Sequence, residues 1–457
     1  MNAPAPRSIA VLGAGITGLT AAYRLTQRGH RVRVFEASDR VGGAIRTECT
    51  DDGWLIESGP NTLLAGDPAL AALIDELGLA AERLTAAPAA RHRYIARRGR
   101  PLALPLSPLA LLPSRLLSVG AKARVFREMR FRPRTRETDV SLATLIREHF
   151  GDEIVDYVLN PFVTGIYAGD PEKLSARHAF PRLWAAEQAH GSLLRAQISA
   201  AKSRAADAGI ISFRRGLQTL PDALAARLPA DTLTLHREVV SLAHDTAWTV
   251  SCRDGSLERF DTILAALPAP ALAALQIDSA SPLASLDSIP HPPVAALFLG
   301  YRRDQVAHAL DGFGLLVPAV EQRSLLGVLF SSTLFPGRAP ADHVALTVLV
   351  GGTRQPELAR LGADAILARI APDLAQLLGV RGGPVFQRHA FWPRAIPQYD
   401  LGHERYLALI AETERAHPRF FVGGQVCDGI ALPACIAAGE RLAARAIGAG
   451  NGTGRSP

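Results

Sequence analysis

The sequence predicts an α/β protein that starts with a doubly wound domain, continues into a mainly helical insertion and forms a mixed sheet in its second half. Three observations lead to this prediction. Residues 8–12 are a short apolar run that ends at Gly13, and a helical spacing of apolar residues follows directly, which is the order of strand, turn and helix. A second run of β-branched residues at 31–35 completes a βαβ unit. Alternating apolar segments return at 232–267 and 294–349 and predict the strands of the later sheet.

Composition limits the class of protein. The chain has 457 residues, 48% hydrophobic and 20% charged, which indicates a globular protein of more than one domain. Its net charge of +7 is compatible with an anionic ligand or a lipid surface, and it is explained equally well by a genome that favours arginine. Charge therefore identifies no partner, and we expect the protein not to bind nucleic acid. The cysteines lack metal-ligand spacing, so we expect reduced structural thiols and no metal site. They are Cys49, Cys252, Cys427 and Cys435.

Localisation signals are weak. Residues 1–6 are too short to be a signal or transit peptide, so the expectation is a cytoplasmic protein. No run reaches the roughly 18 apolar residues that a membrane-spanning helix needs. The Leu-rich segment 101–117 contains prolines that prevent one continuous helix, and it follows a basic cluster at 97–100. Leucines beside arginines predict peripheral contact with the cytoplasmic membrane, or else an ordinary loop and helix packed on another domain. Residues 139–202 are predicted to be mostly helical, with a loop at 160–175.

The turn after the first strand carries a glycine pattern that fits a dinucleotide. A GxGxxG motif stands between strand and helix, where backbone amides and the helix dipole can meet a pyrophosphate. Glu36 ends the second strand, where an acid accepts hydrogen bonds from the adenosine ribose; the alternative is a solvated acid at a strand end. The residues predicted to bind at the turn are Gly13, Ala14, Gly15, Ile16, Thr17 and Gly18.

The segments after Glu36 favour FAD over NAD. Residues 40–46 contain paired glycines that permit close backbone approach and arginines that can neutralise phosphate. A turn follows at 57–62, and a second glycine-rich segment at 423–429 precedes a helix at 431–447. This order of signals resembles the amine-oxidase-like flavoproteins, in which the C-terminal segment closes over the flavin ring and the helix N-terminus stabilises the reduced flavin. The resemblance implies FAD contacts from Ala37, Arg40, Gly42, Gly43, Ala44, Arg46, Gly59, Pro60, Asn61, Thr62, Gly424, Gln425, Gly429, Ile430 and Ala431.

Within that superfamily the chain resembles the oxygen-dependent, flavin-containing protoporphyrinogen oxidases from about residue 9 to 447. The segment NPFVTGIYAGDPEKLS, residues 160–175, is close to the signature loop of that family. Residues 93–96, 312–318 and 330–336 also resemble the family, particularly its plant mitochondrial branch.

The resemblance implies a substrate pocket. Arg93 would pair with a propionate of the tetrapyrrole, since its planar guanidinium suits a carboxylate. Leu316 and Leu329 would sandwich the porphyrinogen ring, and Phe313 and Leu349 would line the same cavity. The position of Leu349 is often aromatic in the family, which leaves the pocket shape open. From the residues alone, the four apolar side chains would be assigned to the core, and Arg93 could equally be a surface arginine.

The resemblance also implies a reaction. Hydride would pass from a bridge carbon of protoporphyrinogen IX to N5 of FAD, with O2 as the final acceptor, and successive rounds would give protoporphyrin IX in haem biosynthesis. Gly169 would present its backbone near the reacting carbon, Val239 would touch the adenine and Trp392 would lie near the isoalloxazine. No general base is required; His178, His190 and His389 are candidates by residue type only.

Alternatives remain open at this point. Coproporphyrinogen III, a tetracarboxylate, would need the same fold and chemistry with a more basic pocket. An amine oxidase, a carotenoid desaturase or a flavin-binding scaffold protein without turnover are more distant alternatives. A homodimer is expected by resemblance only. The predicted architecture is a Rossmann-like FAD-binding domain with a mixed-sheet substrate domain and a helical, membrane-facing insertion. Its parts are 1–88, 204–268 and 389–448 for FAD, 89–203 for the insertion, 269–388 for the substrate and 449–457 as a disordered tail.

Overall fold

The computed structural model describes residues 6–105, 108–133, 135–203 and 209–448, and the structural statements below refer to these residues. The predicted tail 449–457 lies outside them. The strands are β1 Ser8–Leu12, β2 Arg31–Phe35, β3 Thr47–Cys49, β4 Leu55–Glu57, β5 Leu63–Leu64, β6 Arg83–Thr85, β7 His92–Arg97, β8 Arg100–Ala103, β9 Ile210–Phe213, β10 Leu233–Thr234, β11 Val239–His244, β12 Trp248–Cys252, β13 Leu257–Phe260, β14 Thr262–Ala265, β15 Gln276–Ile277, β16 Val294–Arg302, β17 Gly312–Leu316, β18 Gly327–Leu329, β19 His343–Gly351, β20 Phe386–Trp392 and β21 Phe420–Val422.

The helices alternate with the strands at both ends of the chain and dominate its middle. They are α1 Ile16–Thr26, α2 Pro68–Glu76, α3 Pro108–Leu111, α4 Val119–Glu128, α5 Leu142–Phe150, α6 Asp152–Ile154, α7 Asn160–Tyr167, α8 Ala176–Ala179, α9 Pro181–His190, α10 Leu193–Ser203, α11 Thr219–Ala226, α12 Ala269–Ala274, α13 Ser331–Leu334, α14 Pro356–Ala359, α15 Ala363–Leu378, α16 Glu404–Ala416 and α17 Leu432–Gly448. In the described ranges, none of these helices has the length and apolar character needed to cross a bilayer.

The first and last parts of the chain share one parallel sheet, in the order β10-β2-β1-β14-β21. Its central strand is buried on both faces, because Ile9 and Val11 enter one hydrophobic core while Ala10 and Leu12 enter another. Helix α17 packs against α1, and a Cβ at Gly439 would lie 2.5 Å from the backbone oxygen of Thr17, so only glycine permits this approach. The predicted α/β start of the chain is confirmed, and strands β11, β12 and β13 contribute to the core on the face of Ala10 and Leu12.

A second sheet of seven strands has the order β20-β16-β19-β18-β17-β7-β8. It is mixed, as predicted, because β17 pairs with β7 in parallel while its other pairs are antiparallel. One side, the core face, carries Leu297, Val328 and Val348 and packs on Ile366 and Leu374 of α15. We call the opposite side the pocket face, and a small apolar cluster around Trp54 covers part of it.

The helical part is held together by a buried cluster of charges. His149 lies between two carboxylates, with Nδ1 2.8 Å from Glu128 and Nε2 3.1 Å from Glu187. Arg136 donates to both carboxylate oxygens of Glu187 at 2.6 Å, and Glu128 accepts the backbone N–H of Leu193 at the start of α10. Burial lowers the pKa of His149, but its bonds to the two carboxylates outweigh this and the net shift is upward. The cluster is therefore stable as paired charges.

Two expectations about this region are corrected. Asn160–Tyr167 was expected to be a loop but forms α7, because Pro161 stands in the first turn, where proline is compatible with a helix, and Val163 and Tyr167 are buried. The predicted insertion 89–203 begins with β7 and β8, which belong to the seven-stranded sheet, and β20 extends that sheet to Trp392, beyond the predicted limit of the substrate domain. Strand pairing between distant segments sets these boundaries, and local patterns do not reveal it.

Candidate active site

The structure gives a separate steric reason for glycine at each of the three glycine positions of the first turn. A Cβ at Gly13 would lie 2.8 Å from the backbone oxygen of Ala266, and one at Gly18 would lie 2.0 Å from the backbone oxygen of Gly13. A Cβ at Gly15 would meet no protein atom within 4 Å. Gly13 thus allows the turn, Gly18 allows α1 to pack against β1, and Gly15 leaves room beside its Cα for a ligand to approach the backbone.

Glu36 is attached to this turn. Its Oε2 accepts a hydrogen bond of 2.8 Å from the backbone N–H of Ala14, and its Oε1 accepts bonds from the backbone and hydroxyl of Ser38. A carboxylate has lone pairs beyond these contacts and can accept more hydrogen bonds. Val239 lies at the start of β11, just after Arg237, whose N–H donates to the Glu36 backbone oxygen at 2.7 Å. The structure therefore brings Glu36 and Val239 to the same end of the turn.

The loop 40–46 is clamped onto the glycine turn. The N–H of Gly42 donates to the backbone oxygen of Ala14 at 2.9 Å, and Gly15 and Gly42 form a parallel bridge. Arg40 directs its guanidinium back onto its own loop, where it donates to the backbone oxygens of Val41, Gly43 and Ile45. Arg40 thus shapes the loop, while Arg46 and Ala44 are exposed.

The turn 57–62 joins the two sheets. A Cβ at Gly59 would lie 1.9 Å from the backbone oxygen of Ala44, and the side chain of Asn61 donates to the Gly59 oxygen at 2.9 Å. Trp392, at the end of β20, donates from Nε1 to the Ser58 oxygen at 2.7 Å. A cleft runs here between the sheets, and Arg40, Arg46 and Trp392 line it. Predicted cofactor residues from two separate segments therefore share one cleft.

Glu57 lines the same cleft and was not selected from the sequence. It is buried, and burial raises its pKa to about 7, while hydrogen bonds from the Thr47 hydroxyl and the Leu217 backbone oppose the rise. The carboxylate links β4 to the segment before α11, so we regard it as part of the framework of the cleft.

The C-terminal glycine segment reaches the same turn. Gly424 has φ +107° and donates its N–H to Asp428 at 2.8 Å, and a Cβ there would lie 3.5 Å from the hydroxyl of Thr17. That hydroxyl donates to the backbone oxygen of Cys435 in α17 at 3.0 Å. Gln425, Gly429, Ile430 and Ala431 follow in the loop before α17.

These contacts test whether FAD fits. Four segments far apart in sequence converge: the glycine turn, loop 40–46, turn 57–62 and the loop before α17. The glycine turn offers backbone N–H groups at a helix N-terminus, which suits a pyrophosphate. The cleft then continues toward Trp392 and the second sheet. The residues present fit an extended dinucleotide that runs from Glu36 to the pocket face, as FAD would.

The predicted substrate residues occupy the pocket face together. Gly314 of β17 is paired with Arg93 of β7 and with Leu329 of β18, and Gly327 is paired with Leu316 and Leu349. Directly paired residues, and residues two apart on a strand, point to the same side of a sheet. The register therefore gathers the side chains of Arg93, Leu316, Leu329 and Leu349 on one face.

Glycines lie opposite two of the leucines on this face. Gly314 is paired with Leu329, and Gly327 is paired with Leu316. A Cβ at Gly327 would lie 3.2 Å from Cδ2 of Leu316, and a Cβ at Gly165 of α7 would lie 2.8 Å from the same atom, so Leu316 packs between the sheet and α7. We call the part of the pocket face that Leu316, Leu329 and Leu349 line the groove.

Arg93 stands at the edge of the groove. Its guanidinium carbon lies 5.7 Å from the centre of the Phe313 ring, the side chain is exposed, and in the described part of the chain it forms no ion pair. The two predicted residues therefore meet, and a positive charge is available to an anionic group at the groove.

Gly169 lies at another side of the groove. It follows Ala168, which ends α7 with φ +50°, and Ala168 packs in one apolar cluster with Leu349. A Cβ at Gly169 would lie 2.1 Å from Oε1 of Gln398. Of the histidines considered from the sequence, His389 is exposed on β20 and His178 lies close to the carboxylate of Glu404, with 3.5 Å between Nε2 and Oε2.

Sequence reasoning missed three residues around this groove. Gln398 and its neighbour Tyr399 are buried behind Gly169, and Arg354 donates to the Val317 backbone oxygen at 2.9 Å beside α7. Burial lowers the pKa of Arg354 to about 10. Their partners lie many residues away, so no local motif marks them; a Gln-Tyr pair after a strand has no spacing signal of its own.

Comparison with known proteins places this geometry in a family. A family profile for flavin containing amine oxidoreductases matches residues 16–447. The chain is 32% identical over 480 residues to protoporphyrinogen oxidase 2, chloroplastic/mitochondrial, of Arabidopsis thaliana. The alignment covers 97% of this chain and 94% of the plant protein. It is 33% identical over 478 residues to the protoporphyrinogen oxidase of Homo sapiens, and the alignment covers 97% of this chain and 98% of the human protein.

Solved structures share the fold. A crystal structure of a candidate protoporphyrinogen oxidase from Exiguobacterium sp. 255-15 matches with a TM-score of 0.82 at 22% identity, over 97% of this chain and 99% of that one. Putrescine oxidase bound to putrescine matches with a TM-score of 0.68 at 19% identity, over 96% and 98%. At these identities the likeness shows the fold alone.

Proposed function

Because the chain belongs to the flavin-containing amine oxidoreductases, and within them to the FAD-containing protoporphyrinogen oxidases, we propose that the groove on the pocket face is where it oxidises protoporphyrinogen IX to protoporphyrin IX. The enzyme is an FAD-dependent oxidoreductase of porphyrin biosynthesis. The observation that carries the assignment of the site is the convergence of Arg93, Leu316, Leu329 and Leu349 on one sheet face beside the FAD cleft.

The groove suits a flat, apolar ring edged by carboxylates. In this proposal Leu329 and its diagonal neighbours Leu316 and Leu349 hold the two faces of the ring, and Arg93 binds one propionate at the edge. Phe313 supports the guanidinium of Arg93 from below. An apolar groove with its charge at the rim orients the ring in one direction, since reversing it would place carboxylates among leucines.

The catalytic task of the chain is positioning. When bound, FAD supplies the hydride acceptor and returns the electrons to O2. The glycine turn and the loop before α17 hold the dinucleotide, and Trp392 ties β20 of the substrate sheet to the turn 57–62. Gly169 presents backbone instead of side chain, so a bridge carbon can approach closely. The apolar side chains exclude water from the transfer.

The number of carboxylates on the substrate is part of the proposal. Protoporphyrinogen IX carries two propionates and coproporphyrinogen III carries four, which would call for more cationic partners. The arginines that we place around the groove are Arg93 at its edge and Arg354 beside α7, and two cations suit a dicarboxylate better than a tetracarboxylate. Amines and polyenes lack the anionic edge that Arg93 would bind, and intact glycine turns with a shaped groove argue against a scaffold protein without turnover.

The steady-state test compares substrates. Purified enzyme with bound FAD is given protoporphyrinogen IX or coproporphyrinogen III in air, and porphyrin fluorescence is recorded. The proposal expects a larger kcat/KM for protoporphyrinogen IX. A larger value for coproporphyrinogen III would change the assigned substrate, and no fluorescence with either would contradict the function.

Peripheral membrane contact is a separate proposal. Phe162 and Ile166 lie four residues apart on α7, on one helix face, and expose 46% and 39% of their surface. Val119 at the start of α4 is 83% exposed. Exposed apolar side chains on the helical part support docking of a cytoplasmic enzyme on anionic lipid. Flotation with anionic vesicles should carry the wild type upward but not Phe162→Glu; co-flotation of both would contradict the contact.

A homodimer is proposed on family resemblance alone. Light scattering after size-exclusion chromatography tests it, with twice the chain mass as the expected result and a single chain mass as the contrary one.

A further inference from the structure

Gln398 and Tyr399 form a buried dipeptide. It lies between the Gly169 backbone and the loop before α17, which the proposed function places on either side of the reacting atoms. Gln398 and Tyr399 are 2% and 3% exposed. They follow β20 and precede α16, and neither belongs to a helix or a strand. Their side chains nevertheless bond to opposite walls of the site, so the dipeptide connects the substrate side with the flavin side.

Gln398 holds the substrate side. Its Nε2 donates to the backbone oxygen of Tyr167 at 2.9 Å and to that of Ile396 at 2.9 Å. These two bonds fix the amide plane, and Oε1 then lies against Gly169, where a Cβ would be only 2.1 Å away. In the described structure Oε1 has no hydrogen-bond donor. The side chain therefore limits, by steric contact, how far the Gly169 backbone can move away from the groove.

Tyr399 holds the flavin side. Its hydroxyl donates to the backbone oxygen of Gln425 and accepts the N–H of Gly429 at 3.0 Å, so it closes both ends of the glycine-rich loop before α17. Burial raises the pKa of Tyr399, which keeps the hydroxyl protonated and able to donate. The ring stacks on His403 at 4.2 Å between centres, which fixes its plane.

The main chain of the dipeptide is bonded to two further segments. The N–H of Gln398 donates to the Pro290 oxygen at 2.9 Å, and the oxygen of Tyr399 accepts the N–H of Ser175 at 2.8 Å, at the end of the signature segment. Consecutive Cα atoms are about 3.8 Å apart across a planar peptide. Because the two residues are adjacent, the Tyr167 backbone cannot shift relative to the loop 425–429 without breaking one of the side-chain bonds described above.

We propose that Gln398 and Tyr399 are positioning residues for hydride transfer, which together fix the Gly169 backbone relative to the loop 425–429. This inference rests on the proposed function. It assigns a role to side chains that would touch neither a reacting atom nor a carboxylate of the substrate. A misplacement of about 1 Å can lower a transfer rate by about a hundredfold, so the effect belongs in the rate of flavin reduction and not in binding.

Matched controls separate positioning from general stability. Gln398→Met and Tyr399→Phe remove the polar atoms and keep the shape. Gln305→Met removes an amide that also donates to two backbone oxygens, at 3.1 and 3.0 Å, at a remote edge of the substrate sheet. Tyr406→Phe removes a buried hydroxyl that bonds Ser288 at 2.8 Å.

The experiment uses the purified enzyme with its FAD. For each variant we would measure flavin content, the visible flavin spectrum, Tm, and the anaerobic rate of flavin reduction over a range of protoporphyrinogen IX concentrations. The expected result is a reduction rate about tenfold to a hundredfold lower in Gln398→Met and Tyr399→Phe, with flavin content and substrate Kd unchanged. Tyr399→Phe should also shift the flavin absorption band. Both controls should keep the wild-type rate, whatever decrease in Tm they show.

Several outcomes would overturn the inference. Rates in the two test variants that match the controls, or that fall only in proportion to flavin content, would make the dipeptide merely structural. If Gln398→Met does not fold, Tyr399→Phe alone decides. If protoporphyrinogen IX does not reduce the flavin of the wild type at all, the proposed function is wrong, and so is the inference. If it reduces the flavin of the wild type and of both test variants at the same fast rate, only the inference is wrong.

Discussion

Replacing Arg93 by methionine should weaken substrate binding without affecting the cofactor. Methionine retains much of the apolar stem that lies over Phe313 but removes the charge. A hydrogen bond to a charged group contributes about 1.5–3 kcal/mol, and solvent around this exposed side chain reduces that to about 1–2 kcal/mol. Arg93→Met should therefore raise KM for protoporphyrinogen IX by about fivefold to thirtyfold.

The cofactor should be retained because β7 lies in the substrate sheet, away from the glycine turn. Flavin content and kcat should therefore match the wild type. Arg91→Met is the control, since Arg91 precedes the same strand, is 69% exposed and lies 4.0 Å from Asp311. It should leave KM unchanged.

An uncharged substrate provides the decisive comparison for Arg93. The dimethyl ester of protoporphyrinogen IX has no carboxylate for Arg93 to bind, so the wild type and Arg93→Met should show the same KM for it. Loss of FAD in Arg93→Met, or an equal loss of affinity for acid and ester, would refute the placement of Arg93 at a propionate.

Two other features of the fold give predictions. Gly18→Ala would place a Cβ 2.0 Å from the Gly13 oxygen. We therefore expect this variant to lose about 1–3 kcal/mol of stability and to release FAD on gel filtration. The control is Gly362→Ala, where a Cβ meets nothing within 4 Å, and this variant should retain FAD. The raised pKa of His149 contributes stability that is fully present below its ordinary value of 6.5 and is lost as pH rises through the folded value. Calorimetry should show the wild-type Tm falling above neutral pH and a flatter profile for His149→Gln; equal slopes would refute the pairing. Glu128→Ala removes the partner of Nδ1 of that imidazolium and of the backbone N–H at the start of α10. It should cost about 3–5 kcal/mol, and an unchanged Tm would contradict the buried pair.

Local chemistry made the first domain predictable. The glycine turn needs specific residues at fixed spacing between a strand and a helix, and each has a steric reason in the structure. Glu36 was expected to meet a ribose; the structure shows in addition that its carboxylate bonds the turn itself, through Ala14. That contact follows from the βαβ geometry and could have been anticipated.

Long-range pairing was less accessible from the sequence. Residues 92–103 were assigned to the mainly helical insertion 89–203, yet they form an edge of the seven-stranded sheet through pairing with 312–316. Asn160–Tyr167 was expected to belong to a loop at 160–175, but burial against its neighbours makes it helical. In both cases packing determined the outcome over local preference.

The site residues divide in the same way. Arg93 and Leu349 were identified through family resemblance, and the sheet register accounts for their convergence afterwards. Gln398 and Arg354 carry no motif, since their partners are distant in sequence and only the folded chain brings them together. Arg40 was expected at a phosphate, whereas its donors are directed to its own loop.

The most direct test of the central claim is a single-turnover experiment. Oxidised enzyme with bound FAD is mixed anaerobically with protoporphyrinogen IX, and the flavin absorbance is followed by stopped flow. We expect rapid bleaching of the flavin at a rate that saturates with protoporphyrinogen IX and exceeds the rate with coproporphyrinogen III, and recovery of the absorbance when O2 is admitted. An absorbance that stays constant with both porphyrinogens would contradict it.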